Sequence, residues 1–565
     1  MLRSDPELLL VQRGTQPTRR VVRYRHGGEI TIEGTTLTAR IPFPAVDLLY
    51  WTVDGDSFLV SGDTRVIHTR SMHVDPNGLL SLLLLGAVIP PMATFREKRV
   101  FRPGFETTVD LETFRVTERP TMHWPEIVDD DFTMPARDQV RLLSQVIDRQ
   151  LEEIGTDNPI LLFSGGVDSG VLAYRLSRLG YRDTTLVHYS FGENSPDTIA
   201  AQALARELGL PFEVVTPRDE SAVEILDRAA DLYHQPFCDH SAVPTHQLAQ
   251  AVTKRFDRAR PILDGTGADG AFGLFAKSRS YQRLMLLPSP IRNAASASYV
   301  RRRAWRTTSR LEHSLRILHR LATMSKLAAS IAQHGMLGVG VCAPKANVDS
   351  VCTTLESWIG PIAPTDDPYA RMPMADIGLT CAGIFAHKDF SIFAESGHRV
   401  EYPFMAPSMV LFALRRAHRW PNSKSPKHAL KSLLLQTAPR EIVHRPKTGF
   451  VSDKFELFSS ADVIERIRGT VRSQHPRTEL LREWLDAAVV DTLADDLRDG
   501  RRLPAPTYNF LWSIAMANSW LSTIDDASDG VRRRLLERRG SALGAAETQW
   551  IRRTLNLGPE TPAQA

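Results

Sequence analysis

Short apolar runs at 21–24, 29–32, 36–41, 48–53, 57–61 and 66–69 are separated by Gly, Asp and Pro. That is the rhythm of strands joined by tight turns, and it makes residues 1–125 a β-rich region. A helix is expected near 79–85, and the acidic, extended residues near 126–131 read as a linker. From residue 137 to 273 the rhythm changes. A helix at 140–154 leads to a strand at 160–163 and a helix after Ser169; a strand at 184–190 leads to a helix at 198–208, opened by Ser195-Pro196-Asp197. A strand at 212–215, a helix at 222–232 and a strand at 261–263 complete the alternation. Strands alternating with helices predict an α/β fold with a doubly wound parallel sheet, whose ligands gather at the carboxyl ends of the strands. Beyond Gln333 the chain reads as mostly helical, broken by a Pro/Asp-rich loop at 360–368, and its polar end past Gly558 reads as a frayed tail.

Composition narrows the class. At 565 residues the chain is expected to form two or three domains. Its 42% hydrophobic and 24% charged content is that of a soluble globular protein. The longest apolar run, 79–90, is interrupted by Ser81 and Gly86 and is too short to span a bilayer. The first residues lack the layout of a signal peptide. Four cysteines without C-x-x-C spacing argue against structural zinc and a disulfide framework, and for a reducing, cytoplasmic compartment. A net charge of +4 does not call for a nucleic-acid partner, and no membrane partner is expected. Residues 277–326 stand apart, with twelve Lys and Arg, including Arg301, Arg302 and Arg303, against the single acid Glu312. They read either as the solvated faces of a helical pair or as a cationic wall for an acidic peptide or phosphate groups.

The candidate chemistry centres on 159–169, PILLFSGGVDS. The apolar residues at 160–163 suit a strand buried on both faces. Ser164, Gly165 and Gly166 then make a turn with small side chains ahead of a helix N-terminus. Unpaired N–H groups and the helix dipole make such a turn an anion site. No Walker lysine is present; Asp168 stands in the cradle instead, which makes sense if it holds Mg²⁺.

The run Ser164-Gly165-Gly166-Val167-Asp168-Ser169 resembles the PP-motif of the ATP pyrophosphatases, which split ATP into AMP and pyrophosphate. Three further stretches resemble the asparagine-synthetase-like ligases of that group, in the same order along the chain. They are 263–273 (LDGTGADGAFG), the pair 427–431 and 438–443, and 445–450 (RPKTGF); 399–404 (RVEYPF) is a looser match. The resemblance implies ATP and Mg²⁺ as cofactors. Ser164, Gly165, Gly166 and Ser169 would cradle pyrophosphate, Asp168 and Asp269 would hold the metal, and Gly265 and Gly267 would shape the second turn. Val187, His188, Tyr189 and Ser190 lie where adenosine binds, with His188 structural rather than catalytic. Lys447 would be the catalytic lysine. Where relatives carry Tyr or Glu as part of their base, Thr266 stands here, and Arg399 falls where a motif glutamate is expected. Glu401 and Glu395 are the neighbouring acids that could replace it. Gly270 and Ala271 are expected to leave room for a bulky acyl donor.

Residues 32–125 resemble the second part of an N-terminal-nucleophile glutaminase domain, through 53–63 and Arg102-Pro103-Gly104. Position 2 is Leu2, and the first cysteine is Cys238, so the thiol that glutamine hydrolysis needs is missing. The expected organisation is a degenerate glutaminase-like domain at 1–125, a linker at 126–136, a ligase domain at 137–558 with a helical C-terminal part, and a tail at 559–565. The amine would then arrive with the substrate. The resemblance runs closest to the lasso-peptide macrocyclases, which adenylate an Asp or Glu side chain of a precursor core peptide and close it onto the peptide's own amine. Such an enzyme works beside a leader-binding protein and a leader peptidase. A small-molecule amide or β-lactam synthetase is the second reading; a tRNA-modifying enzyme and an inactive scaffold are weaker ones.

Overall fold

The computed structural model describes residues 8–13, 19–24, 28–122, 136–155, 158–192, 195–216, 222–272, 283–332, 347–364, 368–416, 427–445, 454–539 and 543–557. Nine strands in two antiparallel sheets make the N-terminal region. One sheet runs β1 (Leu9–Gln12), β6 (Ser57–Ser61), β5 (Tyr50–Asp54), β7 (Lys98–Val100). The other runs β2 (Arg20–Arg23), β3 (Glu29–Glu33), β4 (Thr36–Ile41), β8 (Phe105–Asp110), β9 (Val116–Pro120). Side chains alternate across a strand, and each face of the first sheet therefore has its own core. Leu9, Val11, Phe58 and Val60 pack with Ile30, Ile32, Leu37 and Val109 of the second sheet. Leu8, Leu10, Leu59 and Val100 point the other way, onto Val531, Leu535, Trp550 and Ile551 of the C-terminal helices.

Among the described residues, the α/β region is built on five parallel strands in the order β12 (Phe212–Val215), β11 (Thr185–Tyr189), β10 (Ile160–Leu162), β13 (Ile262–Leu263), β14 (Val400–Glu401). The order changes direction between β10 and β13, and a crevice at such a point is where ligands of parallel sheets bind. Both expected Gly-rich turns leave these two strands. Around the sheet pack helices, among them the buried Ala505–Arg539, which carries Trp512 and Trp520 into the core.

The two regions are locked together near the crevice. The apolar run of the first region forms the helix Pro76–Leu85, capped by Asp75, whose carboxylate accepts from Asn77 N and Gly78 N at 2.8 and 3.2 Å. It ends at Gly86, and the Gly86 carbonyl accepts from Cys238 N at 3.0 Å. Buried Arg65, paired with Asp63, donates to the carbonyls of Ala230 and Asp231. Gln235 donates to the Tyr50 hydroxyl at 2.8 Å. The β-rich region thus clamps the segment 230–238, the stem of a loop that enters the crevice.

Several boundaries differ from expectation. Residues 66–69 form turns rather than a strand, because Asp63 and Arg65 carbonyls capture the backbone there. The helix expected at 222–232 breaks into Ala222–Asp227 and Ala229–Leu232, and the helix Ala242–Arg255 was not anticipated. The 360–368 loop is shorter than expected, because the helix Val348–Ile362 runs on through Pro361. Most of the expected linker and the tail beyond 557 lie outside the described residues.

Gly86 tests the lock. Its φ is +90° and a Cβ there would lie 2.4 Å from the Cys238 sulfur, whereas Gly34 has φ +58° with nothing within 4 Å of that position. Gly34→Ala is expected to cost about 1–2 kcal/mol, the backbone term alone. Gly86→Ala is expected to cost about 1–3 kcal/mol more through overpacking, with part of it recovered when Cys238→Ala is added. Denaturant unfolding of the three variants measures this; equal costs at the two glycines would mean the contact is slack.

Candidate active site

β10 ends at Leu162, and the chain turns through 164–166 into the helix Val167–Leu179. Gly166 caps this helix with no side-chain partner, so its first N–H groups stay directed at the crevice. The turn is folded by its own hydroxyls. Ser169 Oγ accepts from Ser164 N at 3.2 Å and lies 3.1 Å from Ser164 Oγ, which accepts from Gly166 N at 3.2 Å. Gly165 adopts φ +67°, and a Cβ on it would stand 2.7 Å from the Ala201 Cβ. Any larger residue would push the turn away from the helix Pro196–Leu208. The second turn, after β13, lies against the first, with an ideal Cβ on Gly265 only 3.3 Å from Ser169 N and from Asp168 Cβ.

The closest electrostatic feature was not foreseen. Lys427 places its Nζ 2.5 Å from Asp168 Oδ2 and 2.7 Å from Asp269 Oδ1. Lys427 sits at φ +58° just before the helix His428–Leu434, and its N–H donates to the Phe272 carbonyl at 3.1 Å. Burial opposes its charge, but the two carboxylates outweigh burial and raise its pKa. Its neighbour Lys431 is lowered by burial and by Lys427. A second cation, Arg445, donates to the Gly165 carbonyl at 3.1 Å and pairs with Asp197 in the first turn of Pro196–Leu208. Both lie in the stretches 427–431 and 445–450 singled out above, but spacing gave no signal for these pairings, because Asp168 and Asp197 are more than two hundred residues away in sequence.

Convergence of Asp168 and Asp269 on one cationic point is the arrangement a divalent ion needs from its protein ligands. Among the described residues no cluster of three or more His, Cys, Asp or Glu could hold a metal. A two-carboxylate site fits Mg²⁺, which takes one or two carboxylates and completes its shell with water and phosphate oxygens.

Asp168, Asp197 and Asp269 line one cavity of about 380 Å³. Of the expected residues, Ser164, Asp168, Ser169, Gly265, Gly267 and Asp269 border it. Val187, His188 and Tyr189 form its side at the end of β11. Gly165, Gly166 and Ser190 are not among the residues that line it; the Ser190 hydroxyl donates to the Gly192 carbonyl at 2.8 Å. His188 is structural, as expected. Its Nδ1 donates to the Phe163 carbonyl at 2.8 Å and its Nε2 lies 3.0 Å from the Thr198 hydroxyl. Burial lowers its pKa despite the Phe163 bond, with Arg445 adding to the effect, so the ring stays neutral.

Three expectations need correction or lie out of reach. Glu401 and Glu395 do not border the cavity. Glu401 faces Arg399 at 3.1 Å, and Glu395 is exposed at the end of the helix His387–Glu395. Gly270 does not open space either; a Cβ there would meet Ile377 at 2.8 Å and the Cys381 sulfur at 3.0 Å, so those side chains already fill it. Lys447, with the rest of 446–450, lies outside the described residues. The basic segment splits: Arg316 and Arg320 are buried, Arg306 pairs with Asp496 at 2.6 Å, and Arg301, Arg302 and Arg303 are exposed.

Residues 141–522 match the family described as asparagine synthase. Relatives from Mycobacterium bovis and from two strains of Mycobacterium tuberculosis, each called a putative glutamine-hydrolysing asparagine synthetase, are 23% identical over 363 residues. The match covers 62% of this chain and 53% of theirs, so the chain spans about half the length of the curated relatives it matches.

Gly165→Ala and Lys427→Met test the cradle. Each is expected to weaken binding of a non-hydrolysable ATP analogue by about tenfold to 100-fold, the value of one or two charge-assisted hydrogen bonds. Titration calorimetry reads the change. Unaltered affinity in both variants would place the phosphates elsewhere.

Proposed function

The chain belongs to the asparagine synthase family, and on that footing we propose that it is an ATP-dependent, AMP-forming carbon–nitrogen ligase that uses an amine its substrate carries. The observation that supports this reading most is the pair of strand-end turns, whose acids Asp168 and Asp269 meet at Lys427 beside a helix N-terminus. A substrate carboxylate attacks the α-phosphorus of ATP, pyrophosphate leaves, and the amine displaces AMP from the acyl-adenylate. The turn amides at 164–169 and Lys427 hold the phosphates, because two anions meet in this step and fixed charge lowers its barrier. Arg445 fixes the turn through the Gly165 carbonyl. Mg²⁺ bound by Asp168 and Asp269 would neutralise charge that develops on the phosphates.

The β-rich region supports an amine carried by the substrate. Residues 1–125 contain no cysteine, and the thiol of Cys238 is buried and raised well above its usual range by burial. On this reading that stretch serves as a clamp for 230–238. The leading reading is a lasso-peptide cyclase that closes a macrolactam between an Asp or Glu side chain and the peptide's α-amine, with the leader-binding protein and leader peptidase as its partners. A small-molecule amide or β-lactam synthetase is the second reading. It is favoured by the filled space at Gly270 and by a cavity near the small end of ligand sites.

Mass spectrometry separates the two. Leader-free linear peptides incubated with Mg²⁺ and ATP are expected to lose one water as AMP accumulates. AMP formed only with small amino acids would favour the second reading, and no AMP with either would overturn both. Asp168→Ala and Asp269→Ala are each expected to abolish AMP formation with the fold intact. Charge reversal at Arg301, Arg302 and Arg303 is expected to weaken peptide binding more than ATP binding; equal peptide affinity would return that surface to a solvated helix face.

A further inference from the structure

Apart from the turns that hold Asp168 and Asp269, the cavity has an acidic end lined by Asp239, Asp264 and Asp389 around the ammonium of Lys388. Lys388 donates to Asp239 Oδ2 at 3.0 Å and to Ser241 Oγ at 2.7 Å, and stands 3.7 Å from Asp389 Oδ1. Its shortest contacts therefore go to the 239–241 loop, with Asp389 the more distant partner. Asp264 turns an oxygen onto Thr266 N at 2.7 Å. Three carboxyl groups thus stand around one ammonium, with the His240 ring on the same wall, so this end has capacity for a second cation.

An unusual backbone presents Asp389. The helix His387–Glu395 continues directly from a π-helix over Asp376–Ala386, a rare wide turn that is frequent at functional sites. That π-helix contributes Cys381 and Phe385 to the same cavity wall.

We propose that this acidic end receives the ammonium form of the acyl acceptor, and that Asp389 is the catalytic base that takes its proton. The inference rests on the ligase reading above and assigns the base that Glu401 and Glu395 do not supply. Asp389 first takes one proton from the ammonium, which frees the lone pair on nitrogen. As that nitrogen forms its bond to the acyl carbon, the bond from that carbon to the AMP oxygen breaks and AMP leaves with the electron pair. The second proton shed by nitrogen departs on the AMP phosphate, so the products are the amide, protonated AMP and protonated Asp389.

The titration of Asp389 suits the task. Burial raises its pKa to about 8, Lys388 opposes the rise, and Asp264 and Asp239 add to it. Those groups face it from its own helix, from the turn after β13 and from the 239–241 loop. The buried phenols of Tyr233 and Tyr402, both raised by burial, complete its surroundings. An α-amine titrates near 8 as well, so the proton moves between groups of matched affinity. The stability sign is the reverse of an ordinary paired carboxylate. The folded state holds the Asp389 proton more tightly than the unfolded chain, so Asp389 progressively destabilises the fold as pH rises from the unfolded value of 3.8 towards about 8.

The test separates the two half-reactions in the full chain, using linear peptides with one interior Asp or Glu as probes. Adenylation is read as peptide-dependent exchange of labelled pyrophosphate into ATP, and aminolysis as cyclised peptide. Asp389→Asn is expected to keep exchange within about threefold and to lose aminolysis by about 100-fold or more. It should also lose the rate limb that rises towards about pH 8, and should melt above the wild type at alkaline pH. Asp389→Glu is expected to recover part of the rate. Hydroxylamine, which is unprotonated at neutral pH, should intercept the acyl-adenylate equally well in Asp389→Asn and wild type. Unchanged aminolysis in Asp389→Asn overturns the proposal, and so does joint loss of exchange and aminolysis in a protein that still melts cooperatively. A wild type that shows no exchange with any probe removes the ligase reading, and this inference with it.

Discussion

One ammonium holds the reaction centre together. Lys427 lies 2.5 Å from Asp168 and 2.7 Å from Asp269, and so joins the turn after β10 to the turn after β13. Two carboxylates that converge in a partly buried crevice repel one another unless a cation lies between them. The cation comes from a distant part of the chain, anchored by its own N–H to the Phe272 carbonyl. The geometry of both turns therefore depends on closure of the whole ligase region. The same point of convergence is what a metal-bound triphosphate requires.

The β-rich sandwich matters for a different wall. Arg65, Tyr50 and Gly86 hold 230–238 through backbone and side-chain bonds, and that stem delivers Asp239 and Ser241 to the cavity. Asp239 is held well below the usual carboxylate range: burial opposes its charge, but Lys388 and the loop's hydrogen bonds outweigh it. The β-rich region thus has a structural task, in which it positions the 239–241 loop at the cavity.

Legibility in the sequence followed the range of the interaction. The cradle was readable because strand, small-residue turn and helix N-terminus are consecutive, and the alternation at 137–273 specified parallel strands. Lys427 and Arg445 fall inside the matched stretches 427–431 and 445–450, but their pairing with Asp168 and Asp197 joins segments more than two hundred residues apart and leaves no local signal. Motif spacing says nothing of pairing: β14 aligns Glu401 with Leu263, and its side chain meets Arg399. A glycine in the sequence does not imply open space, and at Gly270 Ile377 and Cys381 already occupy it.

The most direct test of the account is the identity of the phosphorus products. Phosphorus NMR of ATP consumed with Mg²⁺ and a mixed set of Asp- and Glu-containing peptides and small amino acids distinguishes cleavage at the α-phosphorus from cleavage at the γ-phosphorus. The account predicts AMP and pyrophosphate in equal amounts, formed only when an acyl donor is present. ADP and inorganic phosphate would contradict it.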